Sequence, residues 1–201
     1  MSPAARSPEA AAALRASLVE AALRVLDRQG ADGLTMRAVA TEAGVALGLP
    51  YKVFADRNDL VGAVVAAEFR RLRGVFEAIV ASAGTGTVGG NLGRWAEALL
   101  GSPAAGLSHD QARDAEVEAA VDAAAGESGL VAALDRTVVD YLAAEQGLGR
   151  VAPGVDVRAF GFLVAGAVHN LLVSGAAYPR PSGAELRRIL TAVAEALAPP
   201  G

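Results

Sequence analysis

Apolar residues recur at helical spacing along almost the whole chain. They repeat every three or four residues from Leu14 to Leu26, the spacing that keeps one face of a helix apolar. A longer apolar stripe runs from Leu60 to Ile79, and a very apolar segment runs from Asp156 to about Ser174. No segment shows the strict apolar–polar alternation of a half-buried strand. The pattern therefore predicts an all-α chain of nine or ten helices.

Glycine and capping residues predict where the helices begin and end. Gly30 and Gly44 are expected to stop the first two helices, because glycine adopts the backbone conformations found at helix ends. The side chains of Thr35 and Asp56 can each accept a backbone N–H at the start of the next helix. A capping box predicts a further helix from Ser108 to about Ala125.

The amino-acid composition limits the kinds of bonds and sites that the chain can form. The chain has 201 residues, of which 53% are hydrophobic and only 4% aromatic, so Ala, Leu and Val must build most of the core. The absence of Cys excludes disulfides, thiolate metal sites and a Cys nucleophile. The two histidines, His109 and His169, have no second ligand residue at metal-binding spacing. No metal, cofactor or catalytic residue is predicted.

The net charge of −4 is unevenly distributed. Residues 1–73 carry ten Arg or Lys and eight Asp or Glu, whereas residues 74–201 carry eight and fourteen. Such a chain is not expected to coat nucleic acid, but DNA contact depends on local charge. The stretch from Ala159 to Val168 is too short to cross a membrane, which needs about 20 residues. No signal peptide is visible, so we expect a cytoplasmic protein without a membrane partner.

The most informative segment is Thr35–Phe54, which reads TMRAVATEAGVALGLPYKVF. It predicts two short helices separated by a tight turn at residues 44–46, the second running from about Leu47 to Phe54. This arrangement is typical of a helix-turn-helix, whose second helix enters the DNA major groove. A turn of this kind alone is a weak indication, because other helix corners resemble it.

The wider segment from Leu14 to Leu60 resembles the TetR family of bacterial transcriptional regulators. The order and spacing of its elements match without a gap. The matching features are the helix Leu14–Gln29, then Gly30, Gly33, Leu34, Thr35, Arg37, Val39-Ala40, Ala43-Gly44-Val45, Tyr51, Phe54 and the entry to the next helix at residues 56–60. The rest of the chain matches only in length and helical layout.

The resemblance implies an all-α homodimer with two parts. Residues 1–56 would form a three-helix DNA-binding head, with a mobile tail over about residues 1–8. Residues 57–201 would form a larger helical bundle that binds an effector and dimerises through its last long helices. Most such proteins are repressors, which a small effector releases from an inverted-repeat operator. The apolar body suggests a mainly hydrophobic effector, and the Arg-rich, Lys-poor composition fits a high-GC bacterium.

The resemblance also implies which residues contact DNA. Leu47 and Leu49 offer apolar contact to a thymine methyl group, and Tyr51, Lys52 and others would contact phosphates. The predicted DNA-binding residues are Thr35, Arg37, Leu47, Gly48, Leu49, Tyr51, Lys52 and Arg57. A packed aromatic role is the alternative for Tyr51, a simple capping role for Thr35, and an ion pair with Asp56 or Asp59 for Arg57.

Two positions of the predicted second helix depart from the family pattern. Ala46 cannot cap, and Pro50 would be the fourth residue of a helix that starts there. The helix would then begin later, near Gly48, or start as a 3₁₀ turn.

Candidate residues in the body follow from their side chains. Large or polar side chains that could line an effector pocket are Phe76, Trp95, Tyr141, His169 and Asn170. Residues that suit a tight dimer seam are Tyr141, Gly161, Ala165 and Gly166. For each of these the alternative is ordinary packing within one chain, and His169 could be a satisfied core or interface histidine.

An enzyme and an interaction protein are the two alternatives to a DNA-binding regulator. A helical enzyme lacks support, because no carboxylate pair, Ser/His/Asp arrangement or phosphate-binding loop is evident. A helical interaction or small-molecule-binding protein with weakened DNA binding is the alternative, and Pro50 together with the weakly basic head favours it.

Overall fold

The computed structural model describes residues 7–103, 129–174 and 178–200, and the single positions 119, 123 and 126. The described chain is helical and contains no strand, so the predicted all-α class is confirmed there. The predicted helix from Ser108 to Ala125 lies almost wholly outside the described residues, as does the tail before residue 7. Numbered in chain order, the helices with described bounds are α1 Pro8–Gly33, α2 Met36–Glu42, α3 Pro50–Val53, α4 Arg57–Ala81, α5 Val88–Leu100, α6 Leu130–Gly147, α7 Val157–Val173 and α8 Gly183–Ala196.

The predicted caps form, but α1 is longer than predicted. The Thr35 hydroxyl accepts the Ala38 N–H at 3.1 Å, and the Asp56 carboxylate accepts the Asp59 N–H at 2.8 Å. Gly30 has φ 70° and ψ −172° and kinks α1. Helical backbone resumes after this kink as far as Gly33, so Gly30 interrupts α1 instead of ending it.

Two hydrophobic cores divide the molecule, and α4 belongs to both. The head core joins α1, α2 and Phe54 to the apolar side chains of α4 as far as Val65. The body core begins at Leu72 and joins the second half of α4 to α5, α6, α7 and α8. The first turns of α4 therefore pack with the head, although the boundary predicted after residue 56 assigned the whole helix to the body.

Close helix contacts inside the body are made at two glycines. A Cβ atom added to Gly161 of α7 would lie 2.5 Å from a methyl carbon of Val139 on α6. A Cβ atom added to Gly89 of α5 would lie 2.7 Å from the Cα of Thr191 on α8. Both positions therefore require glycine for the helices to approach. Among the described residues no helix is both long and apolar enough to cross a membrane.

Candidate nucleic-acid interface

The helix-turn-helix is built from α2, a glycine turn and α3. Gly44 has φ +66°, a left-handed conformation that suits glycine. The Val45 N–H donates to the Ala40 carbonyl at 3.0 Å. This bond closes the end of α2, so the chain turns at residues 44–46, as the sequence predicts.

Helix α3 is shorter than the predicted helix from Leu47 to Phe54, and Pro50 is its first residue. The Leu49 N–H donates to the Ala46 carbonyl at 2.9 Å, and the Lys52 N–H donates to the Leu49 carbonyl at 3.0 Å. These bonds span three residues, as in a 3₁₀ turn. Proline suits the first helical position, because an N–H there has no partner within the helix. Pro50 therefore initiates α3 and does not break it.

Most of the predicted DNA-binding residues lie on the exposed side of this motif. Leu47 is 46% exposed and Tyr51 is 60% exposed. Arg37, Gly48, Lys52 and the cap residue Thr35 are also exposed, whereas Leu49 is half-buried. The exposure of Tyr51 argues against the packed-aromatic alternative. The exposed side thus combines two apolar or aromatic side chains with two cationic ones.

Arg15 ties the end of α3 to both neighbouring helices, a role that the sequence analysis missed. Its guanidinium donates to the Val53 carbonyl at 3.1 Å and to the Asp59 carboxylate at 2.7 Å. It also lies over the Phe54 ring, 4.5 Å from the centroid. The hydrogen bond from Arg15 is the largest cause that lowers the pKa of Asp59. The sequence signal that could have indicated this role is the position of Arg15 on the apolar stripe of α1, three residues before Leu18.

Arg57 makes contacts inside the head, and its phosphate contact stays a prediction. Its guanidinium donates to the Leu34 carbonyl at 3.2 Å and to the Ala31 carbonyl at 3.1 Å. The alternative ion pair with Asp59 is not the arrangement seen, because that carboxylate pairs with Arg15. Arg57 therefore holds the end of α1 against the start of α4.

A second ionic cluster holds α2 against α1. The Arg24 guanidinium donates to one oxygen of Glu42 at 2.7 Å, and Arg28 donates to the other oxygen. The hydrogen bond from Arg24 contributes most to lowering the pKa of Glu42. Arginines of α1 therefore hold both the end of α2 and the end of α3 in place within the head.

In the body, the predicted aromatic pocket residues belong to the core. Phe76, Trp95 and Tyr141 are each at most 3% exposed. The Phe76 and Trp95 rings lie 6.5 Å apart between centroids. His169 is half-buried and Asn170 is exposed, where Asn170 accepts the Ser174 hydroxyl at 3.1 Å.

Tyr141 is structural and is not on the surface, so its predicted place in a dimer seam is wrong. Its hydroxyl donates to Glu145 at 2.6 Å and accepts the Asn91 amide at 2.9 Å. Glu145 is fully buried and also accepts the Gly84 N–H at 3.2 Å, with the Arg150 guanidinium 3.4 Å away. Burial raises the pKa of the Tyr141 phenol. This network fastens the loop between α4 and α5 onto α6.

The predicted dimer residues Gly161 and Ala165 are also buried within one chain. Gly161 packs against Val139, so the alternative of packing within one chain holds for it. Of the predicted seam residues on α7, Gly166 is exposed. The apolar side chains that α7 exposes are different ones. Phe162 is 66% exposed and Leu163 is 61% exposed.

A cleft of about 710 Å³ lies between the second half of α4 and the start of α6. Phe76, Val80, Ala132 and Ala133 give it apolar walls. Two cationic and two anionic residues also line it, namely Arg73, Glu77, Arg136 and Asp140. Of the residues predicted for an effector pocket, only Phe76 lines this cleft.

Comparison with known proteins agrees with the resemblance. Residues 18–64 match the sequence model of bacterial regulatory proteins, tetR family. The match contains α2, α3 and the first turns of α4, so the head is similar to the corresponding region of these regulators. This family consists of regulators and not of enzymes. Among curated proteins none matches the chain.

Solved structures share the fold over nearly the whole chain. A TetR-family regulator from Mesorhizobium loti is 23% identical, with a TM-score of 0.66 and coverage of 96% of this chain and 97% of that one. A TetR-family regulator from Cytophaga hutchinsonii has the same TM-score at 15% identity, covering 98% and 100%. The regulator FadR from Bacillus subtilis, solved with stearoyl-CoA, has a TM-score of 0.52 at 17% identity, covering 91% and 97%. The body therefore has the TetR-like fold as well.

Proposed function

We propose that the protein is a sequence-specific DNA-binding transcriptional regulator that acts as a homodimer and responds to a small effector, most simply as a repressor. The observation that carries the proposal is the exposed recognition surface around α3, held by arginines on a head that matches the tetR family. Within that surface Leu47 and Tyr51 are exposed far more than core residues of their type.

Each side chain of the surface has a distinct proposed role. Leu47 contacts a base edge, and a thymine methyl group is the partner that suits an apolar side chain. The Tyr51 hydroxyl and the Lys52 ammonium contact phosphates, which orient the head without reading sequence. Arg37, exposed near the start of α2, adds a second cationic contact. Sequence readout is then shared between a few apolar contacts and DNA shape.

Dimerisation is supported by the exposed faces of the last two described helices. Phe162, Leu163 and Val173 on α7 and Ile189 on α8 are each at least 41% exposed. A group of large apolar side chains left in water is unfavourable in a monomer and typical of an interaction surface. Pairing these helices with those of a second copy would bury them.

Effector response is supported by the position of α4. Its first half packs in the head core, and its second half lines the cleft that it shares with α6. A molecule bound in the cleft would alter how α4 sits against α6. Because Asp59 of α4 binds Arg15, and Arg15 binds the end of α3, that change would reach the recognition helix.

The alternative of weakened DNA binding keeps one of its two supports, the weakly basic head. The other was disruption of the second helix by Pro50, yet proline occupies a favourable first position in α3.

Selection of genomic DNA fragments tests the proposal. The purified protein, as isolated and after refolding without ligand, is incubated with sheared bacterial DNA at near-physiological salt. We expect an enriched inverted repeat with half-sites about one helical turn apart. The double variant Tyr51→Ala/Lys52→Ala should lose the enrichment without a change in helicity. Arg180→Ala, which removes a positive charge at an exposed position of the body away from the cleft, is the matched control. Failure of both preparations to enrich any inverted repeat would overturn the proposal.

A further inference from the structure

A charged residue interrupts the apolar stripe of α4 between the two cores. The buried side chains of this helix are apolar as far as Val65 in the head core, and the body core begins at Leu72. In the stretch between them, which is fully described, Glu68 is the only buried side chain, and it is 1% exposed. A carboxylate therefore occupies the position at which an apolar side chain would join the head core to the body core.

Arg71 binds this carboxylate from one turn further along the helix. Its guanidinium donates to both oxygens of Glu68 at 2.9 Å, and through a second nitrogen to one of them at 2.6 Å. It also donates to the Ala98 carbonyl, near the end of α5, at 3.5 Å. The Arg71 side chain is 48% exposed, so only the carboxylate is buried. Because burying a charge offsets much of the attraction within such a pair, an apolar side chain at this position would stabilise the fold more.

Glycine weakens the same helix on the body side of the pair. Gly62 and Gly74 both lie inside α4, where glycine is less favourable than alanine. No described atom lies within 4 Å of a Cβ atom added to either of them, so packing does not require them as it requires Gly89 and Gly161. Gly62 lies among the head-core residues of α4, whereas Gly74 lies between the polar pair and Phe76 of the cleft.

We propose that α4 bends between Glu68 and Gly74 and does not move as one rigid rod. The helix is continuous in the present structure, which is its straight arrangement. The buried pair and the glycine make this stretch less rigid than the helix on either side of it. A molecule bound against the second half of α4 would therefore change the angle of the head without unpacking either core. This inference rests on the proposed effector response and names the part of α4 that permits it.

Distance measurements by pulsed electron paramagnetic resonance test the bend in the full-length protein without an effector. The chain has no cysteine, so Asp27→Cys on α1 and Asp135→Cys on α6 place one spin label on the head and one on the body. Both positions are exposed. Labelled subunits are diluted with unlabelled ones, so that the distances measured lie within one chain. We expect a broad distribution of the distance between head and body.

Two variants stiffen the stretch in different ways. Gly74→Ala improves the helix at an exposed position. Glu68→Leu continues the apolar stripe, and the half-exposed Arg71 side chain can then turn to water. Each variant should narrow the distance distribution and raise the melting temperature, Gly74→Ala by about 2–4 °C.

Two controls separate the bend from stability. Gly62→Ala is the same substitution in the same helix with equally open surroundings. It should raise the melting temperature by a similar amount and leave the distance distribution unchanged, because Gly62 lies within the head. Glu68→Gln keeps a polar side chain of the same size, so its distribution should stay as broad as that of the original protein.

The outcomes separate this inference from the proposed function. A distribution in the original protein as narrow as in Gly74→Ala and Glu68→Leu would overturn the bend, and so would equal narrowing by Gly62→Ala and Gly74→Ala. Equal narrowing by Glu68→Gln and Glu68→Leu would overturn the role of the polar pair. Operator enrichment would stand in each of those cases. Conversely, narrowing in the two stiffened variants alone, without any operator enrichment, would support the bend and contradict regulation of DNA.

Discussion

The head and the body place their polar interactions differently. In the head, arginines at the surface bind carboxylates and helix-end carbonyls, as Arg15 and Arg57 do. In the body, polar side chains are buried and bind one another, as in the cluster of Tyr141, Asn91 and Glu145. Water screens the first kind of contact, whereas the second kind is costly to break. The contacts of the head are therefore the easier ones to rearrange, whereas the buried network holds the loop between α4 and α5 firmly on α6.

The largest expected effect comes from breaking the buried network of the body. Glu145→Ala would leave the Tyr141 hydroxyl, the Gly84 N–H and the Arg150 guanidinium without their acceptor. Removing one member of a buried ion pair costs roughly 3 kcal/mol or more in the free energy of unfolding. Urea titration followed by circular dichroism measures it. Glu195→Ala, at an exposed position, is the control. A loss below about 1 kcal/mol would place Glu145 among surface-type contacts.

A smaller stability effect and a larger DNA effect are expected in the head. Arg15→Ala removes the bonds to Val53 and Asp59 and the contact with Phe54. We expect a loss of about 1–2 kcal/mol in stability and a fall of roughly tenfold in operator affinity, which corresponds to about 1.4 kcal/mol. Arg15→Lys keeps the charge but not the planar fork of the guanidinium. Its stability and its operator affinity should therefore lie between those of the original protein and those of Arg15→Ala.

The salt dependence of binding shows whether Arg15 acts indirectly. The slope of log affinity against log salt should be unchanged in Arg15→Ala, because Arg15 positions α3 and contacts no phosphate. A reduced slope in that variant would make Arg15 a direct DNA contact.

Lys52 should behave in the opposite way to Arg15, because we expect it to contact DNA directly and to contribute little to stability. Lys52 is exposed, so Lys52→Ala should leave the unfolding free energy within about 0.5 kcal/mol of its original value. The slope of log affinity against log salt should decrease by about 0.9, the value for one lost phosphate contact. Anisotropy titrations of a labelled operator at several salt concentrations measure both. An unaltered slope would remove Lys52 from the interface.

Acid should affect the head first. The pKa values of Asp59 and Glu42 lie below their ordinary values of 3.8 and 4.5 because arginines bind both carboxylates. A carboxyl whose pKa is lowered by folding contributes stability above its unfolded pKa and loses that contribution as the pH falls through the folded pKa. The head should therefore weaken below about pH 4.5. Asp59→Asn should flatten this dependence in chemical unfolding, and an identical acid profile would argue against the Arg15 pair.

Alkali should affect the body instead. The Tyr141 phenol has its pKa raised from 10.0, mainly by burial and then by its bond to Glu145. A group whose pKa is raised by folding contributes stability below its unfolded pKa and loses that contribution as the pH rises. Body stability should thus decline above about pH 10. Tyr141→Phe should remove this alkaline decline, and its persistence would assign the decline to another group.

Contacts between neighbouring residues could be predicted from the sequence, whereas contacts between distant residues could not, and the reason is physical. The caps at Thr35 and Asp56 and the turn at Gly44 are local, because each depends on residues within five positions of one another. They were predicted correctly. The start of α3 at Pro50 was left open, since a single proline suits a helix start as well as a break. The clamp of Arg15 on Val53 and Asp59 joins residues 38 and 44 positions apart, and no local pattern specifies such pairs.

The sequence by itself determined the helical class, the helix-turn-helix and most of the residues that its exposed side presents. Helical spacing, capping and turn preferences are properties of neighbouring residues, and they act wherever the segment lies. Only the tertiary structure decided that Tyr141 and Gly161 pack within the chain, that Arg57 closes α1, and that α4 belongs to both cores. Those roles depend on which helix faces lie together, and a helix face can cover its own core or a second copy with the same residues.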